Sequence, residues 1–253
     1  MQPRQSHFKD HYSEGTAAYA TYRPKYPLEL VEFLARTAPR RRLAWDCGCG
    51  SGQLSVGLAE RFERVIATDI NTKQIATATP HPNVRYYCAA AEASGLRDGI
   101  VDLAVAAQSA HWFDLPEYYA EARRVALPGS IIALITYNTV AVGDEIDPVV
   151  RHFYEKVLAP YWAPERRQVE TSYKFLPFPF DEIKAPRLEI RERWTIEDLL
   201  GYIETWSAVR GLEKAEGRAP IENFRRKLAD AWGAKVNFRS VHWPISLRVG
   251  RLG

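Results

Sequence analysis

Cysteine is scarce in this chain: Cys47, Cys49 and Cys88 are the only ones in 253 residues. An odd and small number excludes a disulfide framework and reads as reduced thiols in an intracellular, cytoplasmic protein. The Cys47-x-Cys49 pair has no second Cys or His pair at matching spacing, and zinc needs about four ligands, so no metal is expected. Also missing is any uninterrupted apolar run of the roughly 18 residues that would span a bilayer. The segment Met1 to Asp10 is polar and charged, so no secretory leader is expected. Charge of one sign is absent too: 34 basic against 31 acidic residues leave +3, too little and too dispersed for a nucleic-acid binder. The one local excess is four arginines between Arg36 and Arg42. They read as a solvated loop entering a strand, the alternative being a phosphate-binding patch. Internal repeats are absent, and low complexity is confined to Phe175-Leu176-Pro177-Phe178-Pro179-Phe180.

What is present is an alternation of apolar strands and amphipathic helices. At 253 residues the chain can bury a substantial core as one α/β domain with insertions, and is too short for two full domains. Residues 7–20 read as weakly helical, and Tyr22-Arg23-Pro24-Lys25-Tyr26-Pro27 interrupts them because two prolines force an extended path. A helix is expected from Pro27 to Arg36. From Leu43 the spacing predicts strands near 43–46, 65–69, 84–88, 101–106 and 130–136, with helices near 51–62, 71–78 and 115–126. The runs Val101 to Ala106 and Ile131 to Ile135 are apolar enough to be covered on both faces, as in a doubly wound parallel sheet. After Tyr137 the alternation fails. A helix near 146–158 precedes the aromatic and proline-rich stretch, and a strand near 187–193 then leads through Trp194 into a helix that Thr195 caps. A second helix near 219–233 and a strand over Val241 to Val249 complete the pattern. Residues 1–42 are expected as an N-terminal helical cap and 43–140 as the α/β core. Residues 141–253 are expected as helical lid insertions plus the last two strands of a seven-stranded, mostly parallel sheet. The two late helices lie between those strands, so they are expected to fold over the carboxyl edge as a lid.

The densest chemical signal is Trp45-Asp46-Cys47-Gly48-Cys49-Gly50-Ser51-Gly52, with Asp69 following seventeen residues after Gly52. Gly48, Gly50 and Gly52 allow a sharp turn after the first strand and a close approach of backbone to a ligand. A helix starting near Ser51 would aim its free amides at that ligand. Asp69 ends the second strand, where α/β nucleotide folds place the acceptor for ribose hydroxyls, and Ile70 beside it is counted with the same site. The spacing is G-x-G-x-G rather than the dinucleotide G-x-G-x-x-G, and an acid precedes it at Asp46. With no pyrophosphate to cradle, Asp46 suits the ammonium of a methionine moiety. S-adenosyl-L-methionine is therefore the expected cofactor, with Gly48, Cys49 and Gly50 against it; NAD and a ligand-free glycine turn are the alternatives.

The fourth strand ends in Ala107-Gln108-Ser109-Ala110-His111-Trp112-Phe113-Asp114, at the edge where open parallel sheets bind ligands. Gln108 is a candidate for the methionine end of the cofactor. His111 reads either as a substrate contact or as a structural histidine, and Trp112 with Phe113 either as acceptor site or as an aromatic plug. Tyr12, Tyr19 and Tyr22 either close over the cofactor or form the apolar face of a helix. Arg23 is singled out because a guanidinium fork suits a carboxylate. Trp162, Trp206 and Trp232 read as packing residues of the lid rather than as a substrate cradle.

The glycine motif with Asp69 resembles motif I and the following acid of the class I S-adenosylmethionine-dependent methyltransferases, of the type 11 kind. Three further segments resemble its trans-aconitate methyltransferase-like branch: Tyr22-Arg23-Pro24-x-Tyr26-Pro27, Gln108-x-x-His111-Trp112-Phe113, and Trp194-Thr195 with Gly201-Tyr202-x-x-Thr205-Trp206-Ser207. The resemblance runs over nearly the whole chain, with the glycine motif and the His-Trp-Phe segment its specific parts. It implies a Rossmann-like fold and places Ala91 and Glu92, after the third strand, at the adenine edge of the cofactor. It also implies a small-molecule acceptor, foremost an organic-acid carboxylate, with S-adenosyl-L-homocysteine as product. A carboxylate is already ionised at neutral pH and needs no base. The alternative acceptors, a carbon or nitrogen of a quinone or secondary metabolite, must lose a proton. His111 is then the catalytic base, as the one residue at this edge with a suitable unperturbed pKa. A cofactor-binding protein without transfer activity is the third reading. Neither a nucleic-acid nor a membrane partner is expected, and the chain is expected as a monomer or weak homodimer.

Overall fold

The structure is a computed structural model that describes residues 22–234 and 236–252, so the expectations for Tyr12, Tyr19 and the helix over 7–20 lie outside the described residues. The first part runs α1 (Leu28–Thr37), β1 (Leu43–Cys47), α2 (Gln53–Ala59), β2 (Arg64–Asp69), α3 (Thr72–Ala76), β3 (Val84–Cys88), β4 (Val101–Ala107), α4 (Leu115–Val125) and β5 (Ala126–Tyr137). The second runs α5 (Asp147–His152), α6 (Arg166–Glu170), β6 (Asp181–Ile183), β7 (Leu188–Trp194), α7 (Ile196–Glu204), α8 (Ser207–Glu216), α9 (Ala219–Trp232) and β8 (Arg239–Arg251).

The strands form one sheet in the order β3-β2-β1-β4-β5-β8-β6, with β7 also paired to β8. Pairs among β1 to β5 are parallel, while β8 runs antiparallel to β5, β6 and β7. This is the doubly wound, mostly parallel architecture. Period-two alternation explains its two-sided burial. Trp45, Cys47, Ala104, Ile132 and Leu134 face Tyr118 and Tyr119 of α4, while Ala44, Leu103, Val105 and Ile131 face Leu30 and Leu34 of α1 and Leu54 and Leu58 of α2. The strand order reverses between β1 and β4, so the loops after these two strands diverge and leave a crevice above the carboxyl ends. Of the clustered arginines, Arg40 donates to Asp102, whose other oxygen accepts the Arg42 and Leu43 amides at 3.0 Å each, so this segment clamps the start of β1.

Two expectations need correction. Among the described residues the sheet has eight strands rather than seven. The extra one, β6, is a three-residue edge strand that pairs with the last residues of β8, while β7 takes the first part of the same edge. Between β7 and β8 lie three helices rather than two, because α8 forms a separate ten-residue helix.

Tyr137, the last residue of β5, pairs with Ile245, so Arg239 to Pro244 run past the carboxyl end of the parallel strands. β7 pairs with this overhang. Ile190, Val241 and Trp243 on the ribbon form one apolar cluster with Leu199, Leu212 and Phe224 of the three helices. The helices bury stripes at helical spacing, such as Ile221, Phe224, Leu228 and Trp232 on α9, where Phe224 stacks on Phe153 at 4.0 Å. Thr195 caps α7 in a reciprocal box with Asp198, an arrangement worth about 1 kcal/mol.

Candidate active site

After Cys47 the chain turns through Gly48 (φ 67°), Gly50 (φ 56°) and Gly52 (φ 83°), all left-handed. The Gly48 and Cys49 amides donate to the Thr68 carbonyl at 2.7 and 3.0 Å, which ties the turn to β2. Asp69 completes the tie: its Oδ2 accepts from the Gly50 amide and its Oδ1 from the Asn71 amide, each at 2.8 Å. The three glycines have different reasons. A Cβ on Gly48 would meet Ser109 Cβ at 2.5 Å, and one on Gly52 would run into the Tyr86 hydroxyl. A Cβ on Gly50 would meet only Gln74 Oε1, 3.9 Å away, because this residue faces open space.

That space is a cavity of about 840 Å³ above the carboxyl ends of β1, β2 and β4, within the size range of small-molecule sites. Asp46, Gly48, Cys49, Gly50, Asp69, Ile70, Ala91, Glu92 and Gln108 all line it, as do Trp112 and Tyr137. Asp46 is 1% exposed, and its Oδ2 accepts from Ser55 Oγ at 2.6 Å. Burial pushes its carboxyl up to about 7; the Ser55 hydrogen bond opposes that rise and the nearby Asp69 charge adds to it. Burial also raises Asp69. Asp46 Oδ1, Ser51 Oγ and Gln74 Oε1 are buried on this one wall without hydrogen-bond partners among the described residues. Such groups cost about 1–3 kcal/mol each when left unsatisfied, so the wall is built for a polar ligand. Burial drives the Cys49 thiol well up, which leaves it protonated and inert.

Two of the lining residues are held by protein partners. Glu92 Oε1 accepts from the Asp114 amide at 2.9 Å, just before α4. The Gln108 side chain donates to the Tyr137 carbonyl at 2.9 Å and accepts from Thr136 Oγ1 at 2.7 Å, while its backbone sits at φ 56°, an uncommon setting for a residue with a Cβ.

A second, smaller cavity of about 30 Å³ adjoins the first, and the two share Gln108, Trp112 and Tyr137. Its wall adds Arg23, His111, Trp162, Arg166, Tyr202 and Trp206 and, among the described residues, carries no carboxylate. Arg166 Nε donates to Tyr154 Oη at 2.9 Å, and the Arg23 guanidinium lies 5.5 Å from the Tyr202 ring centre. Trp162 and Trp206, expected as packing residues, line this pocket with ring centres 5.9 Å apart; Trp232, 2% exposed, is packing. Tyr22 lies on the wall of neither cavity and packs on Gly201.

His111 does not keep an ordinary pKa. Burial, and secondarily the Arg166 charge, lower it to about 3, so the ring is neutral through the physiological range. Its Nδ1 lies 2.8 Å from Tyr173 Oη, and Tyr173 follows Ser172 through two consecutive left-handed positions at φ 59° and 57°. Arg248 steadies that turn by donating to the Tyr173 and Leu176 carbonyls.

Ser51, Gln74, Tyr137, Glu165 and Arg166 reach these walls without having been singled out in the sequence. Ser51 lies inside the glycine motif and Gln74 in the helix just after the second strand, a signal that was available. Glu165 and Arg166 follow Pro164 in a charged stretch that carries no motif. Among the described residues no group of His, Cys, Asp and Glu is arranged to hold a metal, and no helix is long and apolar enough to cross a membrane.

A glycine turn, an acid at the end of β2 and a crevice at the reversal of strand order define a protein built around a nucleoside-type cofactor. Residues 45–134 match a methyltransferase domain family. A protein of Dictyostelium discoideum named as a methyltransferase is 31% identical over 234 residues, which are 91% of this chain and 89% of that one. A Mycobacterium tuberculosis protein named as an uncharacterized methyltransferase is 29% identical over 189 residues, 70% of this chain and 76% of its own. A solved structure from Anaeromyxobacter dehalogenans, described as a type II methyltransferase, superposes with a TM-score of 0.85 at 49% identity over 91% of this chain and 98% of that one. The chain belongs to the class I methyltransferases and is an S-adenosylmethionine-dependent enzyme.

Proposed function

We propose that the enzyme transfers a methyl group to a carboxylate oxygen of a small organic acid. The carrying observation is the small pocket that adjoins the cofactor cavity, lined by Arg23 and Arg166 and, among the described residues, by no carboxylate. A volume of about 30 Å³ suits a group the size of a carboxylate, and a guanidinium recognises one by paired charged hydrogen bonds. The resemblance to the trans-aconitate branch supports the same acceptor class.

The large cavity fits S-adenosylmethionine through its own unsatisfied groups. Asp46 Oδ1 is placed for the ammonium, the open face of Gly50 for close approach, the remaining lone pairs of Asp69 for the ribose, and Ala91 with Glu92 for the adenine edge. When bound, the cofactor supplies an electrophilic methyl: an acceptor oxygen lone pair forms the C–O bond, the C–S pair returns to sulfur, and a neutral ester and a neutral thioether result. No proton leaves a carboxylate, so the residues have only to align the reactants and exclude water, and alignment alone supplies roughly 7–11 kcal/mol. A neutral His111 fits this task as an orienting group.

The test is transfer of labelled methyl from S-adenosylmethionine to a panel of small mono- and polycarboxylic acids. An ester product releases its label in mild base, whereas C- and N-methyl products keep it. Arg166→Gln is expected to raise KM for the acid at least tenfold and to leave S-adenosylhomocysteine binding unchanged. Transfer only to uncharged acceptors, with base-stable label, would overturn the proposal.

A further inference from the structure

Glu165 and Arg166 are adjacent in sequence yet line different cavities, Glu165 the large one and Arg166 the small one. The preceding Ala163 also lines the small pocket, so this short segment is part of the partition between the two. Glu165 Oε2 is buried without a hydrogen-bond partner, and neither side chain joins an ion pair among the described residues. An acid and a base side by side that do not pair with each other, each on the wall of a different cavity, can answer separate ligand charges.

We infer that Glu165 faces the sulfonium of bound S-adenosylmethionine while Arg166 faces the acceptor anion, so that the pair retains charged substrates and releases neutral products. The Arg166 half rests on the carboxylate acceptor proposed above; the Glu165 half does not. Of the other acids on the large wall, Asp46 is held by Ser55 through one oxygen, Asp69 by the Gly50 and Asn71 amides and Glu92 by the Asp114 amide, while Asp114 and Glu117 are exposed at the start of α4. The parts of the cofactor proposed for Asp46, Asp69 and Glu92 are common to S-adenosylmethionine and S-adenosylhomocysteine, so they give no preference between the two. Glu165 combines a buried, unpartnered carboxylate oxygen with sequence neighbours, Ala163 and Arg166, that line the acceptor side, where the methyl must pass. Transfer removes the positive charge from sulfur and the negative charge from the carboxylate together. A carboxylate that favours the sulfonium stabilises the bound reactant more than the transition state, so its effect is on affinity and product release rather than on the chemical step.

The experiment is calorimetric titration of wild type, Glu165→Gln and Glu165→Asp with S-adenosylmethionine and with S-adenosylhomocysteine. Glu165→Gln is expected to weaken S-adenosylmethionine about tenfold and S-adenosylhomocysteine less than twofold. Glu165→Asp keeps the charge and is expected to keep the preference, which separates loss of charge from loss of fold. Equal weakening of both ligands, or no weakening of either, overturns the inference. No acceptor enters these titrations, so failure of the carboxylate proposal shows only in the transfer assay.

Discussion

The ring of Tyr22 occupies the space that a Cβ on Gly201 would need, with Cε1 2.6 Å from that position. The first and last of the three resembling segments therefore touch, and the glycine of α7 is there for the tyrosine. Alanine in a helix is favoured over glycine by about 1 kcal/mol, yet at this position the new methyl has to displace the ring and with it the adjoining Arg23. Gly201→Ala is expected to raise KM for the acceptor several-fold while S-adenosylhomocysteine binding stays as in wild type. Steady-state kinetics with an unchanged KM would mean that Tyr22 does not position Arg23.

Asp46 is expected to make cofactor binding a proton-coupled event. Its folded pKa is raised to about 7, so its contribution to stability is full below the unfolded value near 4 and declines as pH rises through about 7. An ammonium seated against it favours the ionised form and lowers that pKa. Binding of S-adenosylhomocysteine at pH 7 is then expected to release roughly half a proton, and affinity to rise with pH through this range. Calorimetry in buffers of different ionisation enthalpy reads the proton count, and Asp46→Asn is expected to abolish it.

Gly50 and Gly52 are expected to separate ligand space from packing. Gly50→Val forces a branched residue into a left-handed position, at a cost of about 1–2 kcal/mol, and fills part of the open cavity. It is expected to melt somewhat lower, remain folded and bind no S-adenosylhomocysteine. Gly52→Ala instead pushes Tyr86 off its 2.7 Å hydrogen bond to the Thr79 carbonyl, destabilising the protein without filling the cavity. Circular dichroism showing an unfolded Gly50→Val protein would assign that glycine to the turn alone.

His111 is expected to leave no mark on the pH profile between about 6 and 9, because its pKa of about 3 keeps it neutral throughout. With a carboxylate acceptor no proton is in flight, so the rate in heavy water should match that in water. His111→Gln should cost less than about tenfold. A rising limb near pH 6.5 that disappears in the variant would restore His111 as a base.

Much of this was legible in the sequence where local chemistry dictates structure. β1, β4 and β5 are continuous apolar runs, and the glycine turn with Asp69 is a backbone demand that few other residues meet. All of the cofactor positions read from the sequence line one cavity, since strand ends at a reversal of order converge whatever the intervening chain does. β6 was not legible: it is three residues long, two of them acidic, and exists only because the end of β8 offers an edge. α8 was hidden by the breaks at Thr205-Trp206 and Gly217-Arg218 and by a narrow apolar stripe of Ala208, Val209 and Leu212. Glu165 and Arg166 were hidden for another reason. Charged side chains at the start of a five-residue helix become wall residues only through tertiary placement, which no local pattern records.

β8 contributes Val241 and Trp243 to the cluster of the late helices, Val249 to one face of the sheet, and the chain places Leu252, just past its end, on the other. One strand is thus a fixed beam through two of the three apolar clusters of the described protein, and its end leads directly into the third. A clamshell hinge between the late helices and the sheet would have to bend that beam while it is paired along both edges. The segment between Asn138 and Arg187, which carries Trp162 and Arg166, is anchored to the same frame, with Val169 and Tyr173 buried in the cluster on the sheet and Val150 and Phe153 in that of the late helices.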